Sequence, residues 1–295
     1  MTPQAFDGWM NQRLDEVERA LQAWVPADAP AGLGEAMRYG VLDGGKRLRP
    51  LLVMAACEAV GGHAEAALRA AVAAELIHAY SLVHDDMPCM DNDVLRRGKP
   101  TVHVRYGEAQ AMLAGDAMQA LAFEVLTPEA GVPDVLQARL CSLLARAAGH
   151  AGMAGGQAID LASVGLPLTE EQLRDMHRRK TGALLRGSVI MGACCGEPGA
   201  QARDALDAYG EAIGLAFQVI DDVLDCTQAS DKLGKTAGKD LHSNKPTYVT
   251  VMGVDEARRH AFGLRDQAQQ ALARSGLADT AALAILADRV VERDN

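Results

Sequence analysis

The chain has 295 residues, 49% of them hydrophobic but only 4% aromatic, and a formal net charge of −10. A hydrophobic share of this size excludes disorder and supplies a sizeable core, enough for one large domain or two ordinary ones. The acidic balance, with no long Lys/Arg block, excludes a nucleic-acid footprint or a membrane-surface patch, so an anionic ligand would need local basic groups.

Ala, Leu and Val dominate and β-branched runs are few, which favours helices over sheet and makes all-α the expected class. In chain order, apolar residues with helical spacing recur at 3–24, 33–42, 50–60, 64–87, 107–126, 134–149, 169–195, 200–226 and 255–293, the last interrupted near Ser275–Gly276. Thr169 followed by Gln172 forms a capping box and starts a helix ahead of Lys180 and Thr181. The breaks, such as "PADAPAG" (26–32) and "GEPG" (196–199), are too short for a flexible linker, so residues 1–295 read as a single domain. Charges at Asp7, Arg13, Asp15, Glu16, Glu18 and Arg19 leave no room for a secretory h-region, and "LLVMAAC" (51–57) falls short of the ~18 apolar residues of a membrane span. Six cysteines without a C-x-x-C pair fit a reduced cytoplasm.

Two of these helical segments end in aspartate pairs. "HAYSLVHDDMPCMDND" (78–93) carries Asp85, Asp86, Asp91 and Asp93, and "AFQVIDDVLD" (216–225) carries Asp221, Asp222 and Asp225. Asp221 and Asp225 at i and i+4 repel on one helix face unless a cation neutralises them. Pro88 breaks the first segment, so a loop is expected to turn Asp91 back towards Asp85. Carboxylates alone are the ligand set of a hard ion, and Mg²⁺ bridges one or two of them to substrate phosphates. The bland alternative is a pair of solvated acidic helix ends. Met87, Cys89 and Met90 read as packing residues, and His84 beside Asp85 raises the His-Asp pair of metal-dependent phosphohydrolases, which would need further histidines.

Basic residues gather beside the acids. "DGGKRLRP" (43–50) places Lys46, Arg47 and Arg49 between a glycine pair and Pro50, a plausible diphosphate cradle although not a Walker A loop. "RRGKPT" (96–101) adds Arg96 and Arg97, "HRRKTG" (177–182) adds Lys180 and Thr181, and "GKTAGKDLHSNKPT" (234–247) adds Lys235, Lys239 and Lys245. Surface salt bridging would contribute little stability, so their repetition beside aspartates suggests a ligand carrying several negative charges together with Mg²⁺.

With "YGVLDGGKRLRP", "GEAQAMLAGDA", "HRRKTGALLRGSV" and "LGKTAGKDLHSNKPTY", these motifs cover nearly the whole chain, which resembles the bacterial trans-isoprenyl diphosphate synthases, most closely the short-chain farnesyl type. The resemblance implies an all-helical bundle around a deep central cavity, with the two aspartate clusters facing each other across its mouth, and a homodimer. It implies Mg²⁺ ligation by Asp85, Asp91 and Asp221, with Asp86 and Asp225 in support. Arg96, Lys180, Lys235 and Lys245 would contact the allylic diphosphate. Lys46, Arg49, His78 and Arg97 would hold the diphosphate of isopentenyl diphosphate, with Gly45 permitting close approach. The Lys180 carbonyl, Thr181 and Gln218 would direct oxygen dipoles at an allylic carbocation.

Tyr80 lies five positions before Asp85, a little over one turn beneath the metal site, where its ring would stop chain growth at C15. Small Ser81 offers no second block, and the six-residue Asp85-to-Asp91 spacing is shared with C20 synthases, so geranylgeranyl diphosphate is the alternative product. A terpene cyclase would not need the cradle of Lys46, Arg49 and Arg97, and a non-catalytic partner subunit would have lost one aspartate motif. The tail "VVERDN" lacks a terminal basic residue and is given no ligand contact.

Overall fold

Alanine loses no side-chain entropy on entering a helix, and the Ala-rich segments are helical throughout the computed structural model, which describes residues 1–42, 44–227 and 247–293. In order come α1 (Pro3–Trp24), a 3-10 turn (Pro30–Gly32), α2 (Leu33–Val41), α3 (Leu48–Ala59) and α4 (Ala64–Asp85). A two-residue hairpin, β1 (Leu95–Arg96) and β2 (Lys99–Pro100), precedes α5 (Val102–Tyr106), α6 (Glu108–Leu126), α7 (Asp134–Ala148), α8 (Met153–Ala162) and α9 (Glu170–His177). A π turn (Arg178–Gly182) leads into α10 (Ala183–Cys194), and α11 (Ala200–Thr227), α12 (Tyr248–Met252), α13 (Val254–Ala273) and α14 (Ala281–Glu292) follow. The all-α class is as expected.

Besides the short α5 and α12, which no expected segment covers, three elements differ from the periodicity. The helix expected over 169–195 does start at the Thr169 capping box, where the Gln172 N–H donates to Thr169 Oγ1 at 3.3 Å, but a π turn divides it. Helix α8 carries Gly155 and Gly156, which obscure a helical pattern. A Cβ at Gly156 would lie 2.1 Å from the Lys180 backbone nitrogen, so the glycine exists for the close approach of α8 to the π turn. The hairpin turns on Arg97 and Gly98, both at positive φ (52° and 75°), as a two-residue hairpin requires.

Two apolar clusters hold the helices together, and α3 and α10 contribute to both. Val53, Met54 and Cys57 of α3 face the cluster built on α4, α6 and α7; Leu51, Leu52 and Ala55 face the one built on α11, α13 and α14. Each fully buried Leu contributes about 1.5–3 kcal/mol. Helix α4 is long and apolar enough to cross a membrane, contrary to the expectation that charge would cut every such run, yet 67% of that stretch is buried inside the fold, as in a core helix.

Short connections make α3–α4 and α10–α11 two helical hairpins. In each, the start of the first helix comes back beside the end of the second. Gly192 of α10 lies against Val53 and Ala56 of α3, and the His63 N–H after α3 donates to the Cys195 carbonyl after α10, so these two helices run the same way and one end of the bundle collects the starts of α3 and α10 and the ends of α4 and α11.

Candidate active site

The first acidic cluster is shaped by Pro88, past which α4 cannot continue. The chain folds back instead: the Asp91 N–H donates to the Asp85 carbonyl at 2.9 Å and the Asp93 N–H to the Asp86 carbonyl at 3.1 Å. Burial raises the Asp85 carboxyl to about 6; Asp91 and Asp86 push the same way, while Lys180 and Arg96 oppose them. Asp86 is 2% exposed, and Arg96 grips both its oxygens through Nε (2.8 Å to Oδ2) and Nη2 (2.6 Å to Oδ1). The support expected from Asp86 thus takes the form of a clamp that sets the direction of Arg96.

The cations of the α3 entry loop, two of which lie within electrostatic reach of Asp221, divide three ways. Arg47, at φ 45°, turns inward: its guanidinium donates to Glu75 (2.8 Å), Glu18 (2.7 Å) and the Val41 carbonyl (2.7 Å), tying the loop to α4, α1 and α2. Arg49 is 8% exposed, its Nε has no hydrogen-bond partner, and burial lowers its pKa against the pull of Glu75 and Asp221. Lys46 is likewise lowered, by burial and by Arg293, with Asp221 opposing. Arg97 donates to the Gly44 carbonyl, and its guanidinium lies against Gly45, whose φ of 137° favours glycine there. His78 lies at this junction. Burial and the charges of Arg49, Arg97, Arg96 and Arg47 hold it well below its usual pKa, so the ring is neutral.

The π turn presents the next two groups, a setting in which such turns recur at functional sites. Lys180 Nζ reaches Asp160 Oδ2 at 2.5 Å, and Asp160, on α8, is 4% exposed. The Thr181 hydroxyl donates to Gln218 Oε1 at 2.7 Å, the Gln218 amide donates to Asp222 Oδ1 at 2.8 Å, and the Tyr248 N–H donates to Asp222 Oδ2 at 2.8 Å. Asp225 is buried one turn beyond Asp221 on α11. Lys235 and Lys245 lie outside the described residues.

Two residues that the motifs did not flag enter the site. Asp160 follows the Gly155–Gly156 pair, and that pair, packed on the π turn, was its available signal. Arg293, in the tail that is given no ligand contact, reaches the second acidic cluster instead: its Nη2 donates to Asp221 Oδ1 at 2.5 Å and to the Phe217 carbonyl at 2.7 Å, with the guanidinium 3.9 Å from the Phe217 ring centroid. Nothing in "VVERDN" marks this, because the contact spans 72 positions.

Below Asp85, the Tyr80 ring stands edge-on to His84, with centroids 5.7 Å apart, and burial raises its hydroxyl pKa with a contribution from Asp85. The Ser81 hydroxyl donates to the His78 carbonyl at 2.8 Å. His84 Nε2 is engaged with the Met112 carbonyl at 3.0 Å, which weighs against a His-Asp metal pair. Among the described residues, no three His, Cys, Asp or Glu side chains form a ready-made metal cage. The carboxylate donors of the two clusters fit Mg²⁺, which keeps waters and takes one or two carboxylates plus substrate phosphates, and the raised Asp85 is a carboxylate whose ionised form such a cation would restore. Acids on one side and buried, under-paired guanidinium on the other suit a polyanion that arrives with a cation.

Known proteins are similar to this chain over nearly its whole length. Residues 30–281 match the sequence profile of the polyprenyl synthetase family. The farnesyl diphosphate synthase of Escherichia coli (strain K12) is 48% identical over 299 residues, covering 99% of both chains. The chloroplastic geranylgeranyl pyrophosphate synthase of Catharanthus roseus is 44% identical over 292 residues, covering 98% of this chain and 82% of its own. The crystal structure of a Helicobacter pylori geranyltransferase complexed with magnesium and isoprenyl diphosphate superposes with a TM-score of 0.84 at 32% identity, over 99% of this chain and 97% of that one. The chain belongs to the polyprenyl synthetase family of prenyltransferases.

Proposed function

We propose that the protein is a farnesyl diphosphate synthase that condenses isopentenyl diphosphate with dimethylallyl and then geranyl diphosphate. The observation that carries this reading is Arg49, a buried cation whose Nε has no hydrogen-bond partner, near His78 and within electrostatic reach of Asp221. A buried unmatched donor costs about 1–3 kcal/mol, and a second diphosphate would satisfy it. A hydrolase or a cyclase has no use for that second anion site.

In this reading, Asp85, Asp91 and Asp221 hold Mg²⁺, which when bound offsets negative charge on the allylic diphosphate as it leaves. Arg96, aimed by Asp86, and Lys180, aimed by Asp160, contact the same diphosphate. Lys46, Arg49, His78 and Arg97 fix isopentenyl diphosphate so that its double bond meets the allylic carbon. The oxygens of Thr181 and Gln218 stabilise the cation in a water-excluded space. The departed pyrophosphate takes the final proton. Tyr80, packed against His84 beneath Asp85, supports a C15 floor. The similarity to the Catharanthus roseus enzyme favours C20 as the second reading.

The test is to incubate the purified protein with Mg²⁺, isopentenyl diphosphate and dimethylallyl diphosphate and to identify the dephosphorylated prenols. Farnesol is the expected end product. Geranylgeraniol would keep the chemistry and remove the Tyr80 floor, and phosphate release without elongation would overturn the synthase.

A further inference from the structure

Adjacent aspartates on a helix point about 100° apart, so Asp221 and Asp222 cannot serve the same ligand face. Asp221 is the outer of the two, its side chain 41% exposed and set towards Arg293. Asp222 is 4% exposed and shares a helix face with Gln218, one turn earlier. Its Oδ1 accepts the Gln218 amide N–H and its Oδ2 accepts the backbone N–H of Tyr248, the first residue of α12.

A glutamine amide has a donor end and an acceptor end of nearly the same size, and only its partners decide which end faces where. An oxygen of Asp222 can be met only by the NH₂ end. The Oε1 end is thereby turned to the Thr181 hydroxyl, 2.7 Å away on the π turn. We propose that Asp222 is a positioning residue that locks the Gln218 amide with its carbonyl oxygen towards Thr181 and the reacting prenyl chain. This rests on the proposed prenyl transfer. A flipped amide would present N–H hydrogens, the positive end of the dipole, to a developing carbocation and would oppose its formation. Asp222 therefore acts on the reaction through Gln218 and is not a metal ligand, although it stands inside the aspartate motif.

Replacing Asp222→Asn preserves size but lets the new side chain offer N–H to Gln218, which frees the amide to flip. The expected result is a fall in kcat of about 10²-fold, the scale of losing one aimed dipole. KM for both diphosphates and the Mg²⁺ concentration for half-maximal activity should stay within about twofold, because binding is not what is lost. Gln218→Ala should cost a similar factor, and the double variant no more than Gln218→Ala alone. An unchanged kcat, a tenfold shift in the Mg²⁺ requirement, or multiplicative losses in the double variant would overturn the proposal.

Because Asp222 also anchors Tyr248, a measurement on the unaltered protein stands beside the variant. The Gln218 side-chain amide resonance, assigned by its loss in Gln218→Ala, should show slow hydrogen exchange; rapid exchange would overturn the lock. If the unaltered protein elongates no prenyl chain, the proposed function fails by that control, whereas failure of the kinetic or exchange pattern in an active enzyme removes only the role of Asp222.

Discussion

Asp85–Asp86 stands where a helix stops, and Asp221–Asp222 stands within one that continues to Thr227, yet the two pairs are divided alike. The first aspartate of each takes part in the site, while the second is nearly inaccessible and fastened to a neighbour. They differ in what is fastened: Asp86 holds a cation, Arg96, and Asp222 holds a neutral amide and a backbone N–H. In the proposed function a doubled aspartate is thus one ligand and one strut, and the strut's partner decides whether charge or dipole direction is being controlled.

The comparison breaks most visibly if Asp221 is removed. Asp221→Ala should lower turnover by about 10³-fold, by loss of transition-state charge stabilisation, while the circular dichroism melt stays unchanged; preserved activity would take the second motif out of the mechanism. Next in size is the strut of the first motif. Arg96→Ala leaves the Asp86 carboxylate buried without its clamp and should cost about 3 kcal/mol of unfolding free energy by urea titration, an effect that Asp86→Asn made together with it should largely relieve.

The smallest effect concerns Asp85. Its folded-state pKa of about 6 lies above the usual value of 3.8, so between those limits the folded state binds more protons than the unfolded one. Stability of the metal-free protein should fall as pH rises from about 4 to 6, and Asp85→Asn should flatten that slope. A slope of opposite sign would mean that the cations around Asp85 outweigh its burial.

Much of this was legible in the residues. Helical spacing placed most helices, the Thr169–Gln172 box marked a helix start, and Pro88 foretold the loop that returns Asp91 to Asp85. What stayed hidden depends on packing between distant segments. "RRKTG" looks like ordinary helix, and its π turn accompanies the close approach of α8. Arg47 and Arg49 look equivalent until the left-handed backbone at Arg47 sends one to Glu75 and leaves the other for the site. Arg293 carries no local signature, because its contact with Asp221 spans 72 positions, and Asp160, whose partner Lys180 is 20 positions away, is marked only by the nearby Gly156 that lets α8 approach the π turn.

The Arg293 contact has a consequence for how the second motif is loaded. Its guanidinium, held by the Phe217 ring and carbonyl, is a tethered competitor for Asp221. If Asp221 holds Mg²⁺ as proposed, the incoming cation enters by exchange, and its apparent affinity is the intrinsic one multiplied by the fraction of time the tail is away. In that reading the residue that caps α14, which takes no part in the bonds broken or formed, sets the ion concentration at which the site fills.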